Sequence, residues 1–356
     1  MALLREKIGA MVMSGLEGEA LGSEEERLLK DYPFGGFIFF KHNLKEPRQI
    51  LALCRSLWEK GREIPPFIAI DQEGGRVHRL PLPFTHFPSA ATLGRTGNAD
   101  LAYKVGLATA RELSAVGINL NFAPVLDIHS NPSNPVIGDR SLSSDPEEVI
   151  RLGWALVRGL REGRVIPCVK HFPGHGDTDK DSHLELPMMR KDRASLERLE
   201  LIPFARACEK GIESIMTAHV LYPALDPKYP ATLSPSIIGG LLRQQLRYEG
   251  VVFSDDLEMK AVSQNYSYGE AAILSIKAGA DVLLFCHDSE GAAKTLEHLY
   301  EEAERDREIR ARVEESYKRI NRLKKRYLRS FSGNQEHLEK SIGLPDHKQL
   351  VAEILG

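Results

Sequence analysis

Residues 170–183 read KHFPGHGDTDKDSH and gather three histidines (His171, His175, His183), three aspartates (Asp177, Asp179, Asp181) and two lysines. Such groups carry protons or hold metal ions. Pro173, Gly174 and Gly176 interrupt the stretch, which predicts a loop rather than a helix. The apolar run 165–169 ahead of it reads as a buried strand. The polar cluster therefore sits where a strand hands over to a loop, the usual place for chemistry in α/β proteins. In an extended loop, residues i and i+2 point the same way, which places Asp181 beside His183. An aspartate there fixes the imidazole tautomer, raises its pKa and makes it a positioned proton carrier. The competing reading is a metal site built from His171, His175, Asp177 and His183. His-x3-His suits zinc on a helix, and Pro173 with Gly174 removes that geometry.

Further carboxylates and cations close other apolar runs. Asp71 ends the run 67–70 in IDQEGGRVHRL, followed by Arg76 and Arg79. Gly74 and Gly75 allow a tight turn close to a ligand, and the absence of GxGxxG argues against a dinucleotide. Asp127 and Arg140 flank the loop HSNPSNPVIGDRS, which suits a substrate loop; each serves equally well as half of a structural ion pair. In FSDDLEM, Asp255 and Asp256 are successive and alternate in direction, so one is expected to face a pocket. Asp255 takes that place, as a possible nucleophile, with Asp256 packed or capping behind it.

The elements that must position these groups repeat along the chain. Strand-like runs fall at 11–14, 34–40, 67–70, 118–128, 165–170, 214–219, 251–254 and 281–286. Helical periodicity falls at 46–60, 100–116, 145–161, 195–210, 236–246 and 268–278. Eight strands alternating with helices predict a (β/α)8 TIM barrel in one domain, with a doubly wound open sheet as the alternative. The barrel is favoured because polar residues recur at strand ends all along the chain, as a ring of βα loops requires. The barrel domain is set at 1–330, with 331–356 as an extension packed on it or trailing from it. The charge-dense segment 301–331 keeps an apolar stripe (Ile309, Val313, Tyr317, Ile320, Leu323) and predicts a solvated helix packed by one face.

Composition sets the outer bounds. The 356 residues are 42% apolar, ample for a large core. Lysine plus arginine (47) nearly balance aspartate plus glutamate (50), so no global field points to nucleic acid. No run is apolar and long enough to span a bilayer, and the N-terminus lacks a clear cleavage site, so neither membrane nor export is expected. Cys54, Cys168, Cys208 and Cys286 are far apart and read as free thiols in a reducing compartment.

KHFPGHG followed after four residues by DSH resembles the signature of family 3 glycoside hydrolases of the β-N-acetylglucosaminidase type. IDQEGGRV with Arg79 downstream, IGDRS and FSDDLEM agree in order, over about residues 8–330. The resemblance implies a (β/α)8 barrel and a retaining exo-hydrolase that removes non-reducing-end β-linked N-acetylglucosamine. The single-domain length is similar to cytoplasmic members that recycle peptidoglycan, whose substrates are GlcNAc-1,6-anhydroMurNAc and its peptides. Carried over, Asp255 is the nucleophile, His183 the general acid/base and Asp181 its orienter. Asp71, Arg79, Arg140, Lys170 and His171 match sugar-binding positions. No cofactor or metal is implied, and a monomer is expected. A metal-dependent amidohydrolase on the same barrel and a non-catalytic sugar-binding protein are the other readings. Prolonged chelation is accordingly expected to leave turnover of a chromogenic N-acetylglucosaminide intact. Activity lost on chelation and restored by zinc would favour the amidohydrolase.

Overall fold

The structure, a computed structural model, describes residues 2–60, 65–178, 182 and 185–356. Its barrel strands are β1 (Val12–Ser14), β2 (Gly36–Phe39), β3 (Phe67–Ile70), β4 (Leu120–Asn121), β5 (Ile166–Phe172), β6 (Ser214–Thr217), β7 (Val251–Asp256) and β8 (Val282–Phe285). They pair in parallel in chain order, and β8 returns to β1 to close the barrel. Nearly every strand residue is buried, as expected where one face meets the lumen and the other a layer of helices. Phe253 lies edge-on to both Phe67 and Phe122, at 5.7 and 5.5 Å between centroids. These three fully buried rings help fill the lumen. The chain is a single-domain (β/α)8 barrel, as the alternation of strands and helices predicts.

All eight expected strands are present, and the differences in extent have local causes. The run 118–128 gives only the two-residue β4, because Pro124 has no N–H to give the ladder. Its continuation still follows β5: Leu126 N–H donates to Lys170 O, and Lys170 N–H to Pro124 O. Of the expected helices, 195–210 divides into Arg193–Arg198 and Ile202–Glu209, with Pro203 in the first turn of the second. Pro235–Gln245 is wound as a π-helix around Gly239 and Gly240.

The charged C-terminal segment is two helices, Ser289–Arg305 and Arg307–Tyr327, broken where Asp306 caps the second by accepting from Glu308 N and Ile309 N. Ile309, Val313, Ile320 and Leu323 are buried, as the stripe requires, while Tyr317 is half-buried. Lys324 joins them under the barrel, which the stripe did not suggest. Its Nζ donates to Gly35 O at 2.6 Å and lies 4.5 Å from the centre of the Phe67 ring. Burial pushes its pKa down to about 7. Two further helices, Gln335–Ser341 and Pro345–Leu355, pack on Ala99–Val116.

Barrel closure depends on a close backbone approach. Gly15 donates its N–H to Phe285 O, and a Cβ on Gly15 would lie 1.8 Å from Cys286 O. Only backbone movement of β1 against β8 could relieve that contact. Gly15→Ala should therefore cost about 1–3 kcal/mol, the scale of overpacking, in urea unfolding. A loss of under about 0.5 kcal/mol would mean that this seam yields freely.

Candidate active site

The strand ends converge on a cavity of about 260 Å³ at the C-terminal mouth of the barrel. Asp71, Arg79, Arg140, Lys170, His171 and Asp255, all expected from the sequence, line it together. Asp181 and His183 lie outside the described residues. Ser182 lines the cavity, with its hydroxyl 3.5 Å from Nε2 of His175.

Lys170 near the end of β5 is buried, and its ammonium sits 2.6 Å from both Asp71 Oδ1 and Glu73 Oε1. Glu73 also takes a bidentate pair from Arg140, with Nε and Nη2 each at 2.9 Å. Burial alone would raise the Glu73 carboxyl. Arg140 and Lys170 override it and hold the group far below the usual carboxylate range. Burial would likewise lower Lys170, and Asp71 and Glu73 override that, so the amine is held charged.

Glu73 was not singled out in the sequence, although it lies in the IDQEGG motif. The turn that delivers it uses both expected glycines, Gly74 at φ 97° and Gly75 at φ 56°. Ile137 N and Val136 N bond to Asn134, and this shapes the loop that carries Arg140.

Asp127 is fully buried behind the cavity. Its carboxylate accepts from His171 Nδ1 at 2.6 Å, from His175 N at 2.7 Å and from His171 N at 3.2 Å. Burial opposes its charge, but His171 and these donors keep its pKa below the ordinary value. The sequence left Asp127 between a substrate loop and a structural pair; it is the anchor of the KHFPGH turn. His171 thereby turns Nε2 toward Arg140, 3.4 Å away. His175 is held by Thr178 at 2.8 Å, and burial followed by the nearby His171 pushes its pKa down to about 4. Asp177 pairs instead with Lys191 at 3.0 Å. Among the described residues, no three His, Cys, Asp or Glu side chains are grouped to hold a metal.

Asp255 is half-buried near the end of β7. Burial would raise its carboxyl, but His219, His171, the Asp256 N–H and Lys170 hold it below the usual range. Asp256 does cap, its Oδ1 accepting from Glu258 N at 3.0 Å and Cys286 N at 3.3 Å. It also lines the cavity beside Asp255, where simple alternation would admit only one of the two. The cause is a bulge: Val282 pairs with Phe253 but Leu284 with Asp256, so β7 carries an extra residue. His219, whose Nε2 donates to Asp256 O at 2.8 Å, was also missed.

The "Glycosyl hydrolase family 3 N terminal domain" model matches residues 3–323. The chain belongs to glycosyl hydrolase family 3. A family relative from Alkalilimnicola ehrlichii, named beta-hexosaminidase, is 42% identical over 294 residues, covering 81% of this chain and 84% of its own. The family 3 β-N-acetylglucosaminidase of a Paenibacillus species has a TM-score of 0.92 at 42% identity, over 99% of this chain and 68% of that one. NagZ from Neisseria gonorrhoeae, solved with N-trifluoroacetyl-D-glucosamine, has a TM-score of 0.79 at 31% identity, over 97% and 96%. This family 3 protein is a glycoside hydrolase of the β-N-acetylhexosaminidase class.

The Asp256 carboxyl is pushed from 3.8 up to about 7, first by burial and then by the negative charges of Glu258 and Asp255. An acid that holds its proton more tightly when folded weakens the fold as pH rises through that interval. Below the interval both states are protonated and nothing is lost; above it the loss is complete. Asp256→Asn, neutral throughout, should therefore gain thermal midpoint over the parent as pH rises from about 4 to about 8. A midpoint difference independent of pH would sink this assignment.

Proposed function

We propose that the chain is a retaining exo-β-N-acetylglucosaminidase. It would remove non-reducing-end β-1,4-linked GlcNAc from peptidoglycan fragments, GlcNAc-1,6-anhydroMurNAc and its peptides, in cell-wall recycling. The observation that carries this reading is Asp255, ionised at the mouth of the barrel in one cavity with Asp71, Arg79, Arg140, Lys170 and His171. A carboxylate held charged without a proton is suited to attack on an anomeric carbon. The filled lumen supports exo action, since a chain end fits a blind pocket and a continuous strand does not. Balanced charge supports a carbohydrate rather than a nucleic-acid ligand, and no described helix is long and apolar enough to cross a membrane. The reading places the enzyme in the cytoplasm as a monomer, without cofactor, with 1–330 as the hydrolase domain and 331–356 as its extension.

In the first step, Asp255 forms a bond to the anomeric carbon while His183 gives its proton to the departing oxygen. In the second, His183 takes a proton from water, the water oxygen bonds to the same carbon, and Asp255 leaves as a carboxylate. Two displacements preserve the anomeric configuration. Asp181 keeps the His183 imidazole oriented. An imidazole suits both steps because its ordinary pKa, about 6.5, allows give and take near neutral pH. Asp71, Arg79, Arg140, Lys170 and His171 bind the sugar hydroxyls and the acetamide.

Loss of His183 separates the two steps. His183→Ala should lose roughly 10²–10⁴-fold on a disaccharide, whose alkoxide leaving group needs the proton. With a nitrophenyl N-acetylglucosaminide the first step should suffer less, giving a burst of nitrophenolate. The protein should then carry the mass of one GlcNAc residue on the peptide containing Asp255. Equal losses in the first step on both substrates, or an inverted first product by NMR, would overturn the assignments.

A further inference from the structure

The C-terminal extension shares one buried carboxylate with the loop that carries Arg79. Glu112, in the helix Ala99–Val116, is 2% exposed. From the extension it accepts Gly343 N at 2.9 Å and His347 Nδ1 at 2.8 Å, both on Oε1. From the loop after β3 it accepts Thr85 N at 2.9 Å and Thr85 Oγ1 at 2.7 Å. Leu338 and Ile342 of the extension belong to the same buried apolar cluster as Leu80 and Phe84 of that loop. Polar and apolar contacts thus join the same two segments.

From Thr85 an unbroken series of contacts runs to the cavity. The next residue, His86, bonds Gly75 O through Nε2 at 2.9 Å and stacks on His78, with centroids 3.9 Å apart. Burial and then the neighbouring His86 lower the His78 pKa to about 4, so its ring is neutral and Nδ1 accepts from Gln72 Nε2 at 2.6 Å. Gln72 Oε1 accepts the N–H of Arg79 at 3.0 Å. The Arg79 guanidinium lies 5.7 Å from the Phe40 ring centre and lines the cavity. Its buried Nε has no protein partner among the described residues, as a group reserved for ligand would.

We propose that the C-terminal extension is a brace for the sugar site, and that Glu112 and His347 are positioning residues acting through Thr85, His86, His78 and Gln72 on Arg79. The inference rests on the reading of Arg79 as a sugar-binding group. The extension would then set affinity for the sugar rather than simply add stability.

The test uses the full chain and a nitrophenyl N-acetyl-β-glucosaminide. His347→Phe keeps a ring in the buried space and removes the bond to Glu112. Displacement of about 1 Å by a remote change can cost up to roughly 100-fold, so KM should rise about tenfold, with kcat changed less than about twofold. A role confined to stability would lower the thermal midpoint and the amount of active enzyme, leaving KM where it was. The deciding measurement is the double-mutant cycle with Arg79→Ala. If the brace acts through Arg79, His347→Phe adds no further rise in KM once Arg79 is gone. If Arg79→Ala raises KM and His347→Phe then adds its own full increment, the brace is wrong and the Arg79 reading stands. If Arg79→Ala leaves KM unchanged, the Arg79 reading fails and the brace falls with it. Thr85→Val removes the loop's hydroxyl from the same carboxylate and carries the same test should His347→Phe not fold.

Discussion

An ammonium ion with almost no access to water is the constraint around which the mouth of this barrel is arranged. Lys170 cannot remain charged there unless carboxylates surround it, and Asp71 and Glu73 do so from the end of β3. Two carboxylates on one ammonium leave negative charge in excess, and Arg140 supplies the balance through its fork on Glu73. Three segments distant in sequence, after β3, after β4 and at β5, are therefore fixed to one another by charge neutrality. Asp127 does similar work one layer behind, where a single carboxylate receives one ring N–H and two backbone N–H groups from the turn that follows Lys170. The removal of any one partner would leave a buried charge without its counterpart, so these residues behave as a unit.

The same cluster also contributes to keeping the half-buried carboxylate of Asp255 ionised. Asp255 is favoured as a carboxylate by His219, His171, the Asp256 N–H and Lys170, groups held in place by the protein, so its field comes from fixed groups rather than from solvent. Asp256, next in sequence, gains little from them and faces Glu258 instead. Two adjacent aspartates thus have opposite tendencies, and the bulge in β7 that admits both to the cavity makes the contrast possible.

The barrel was legible because each strand is a short apolar run and the helices carry their period openly. Residues 268–278 match the observed helix Tyr268–Ala278 end to end. The site was legible where polar residues end such runs, as at Asp71, Lys170 and Asp255. It was less legible where the deciding fact is a partner far along the chain. Nothing near Asp127 in sequence says that its carboxylate will serve residues 171 and 175. Glu73 looks like a turn residue until Lys170 and Arg140 are brought against it. The bulge at Asp256 arises from the register of β7 on β8, which no periodicity within β7 contains. Lys324 reads as one more cation on a charged helix, and only the placement of that helix beneath Gly35 and Phe67 buries it. The link from His347 to Thr85 through Glu112 was likewise hidden, since it joins three segments without a shared motif.

The thiols give the fold a built-in gauge. Cys54, Cys168 and Cys286 are buried at three separate places, in the helix Pro47–Lys60, within β5 and just past β8, and burial raises the pKa of each. A protonated, enclosed thiol reacts with an alkylating reagent only when its surroundings open. The rate at which each sulfur is modified therefore reports how often that part of the barrel breathes. One inventory of labelled peptides, taken over time in native buffer, would rank the outer helix, the strand beneath the sugar site and the closing seam by their local opening.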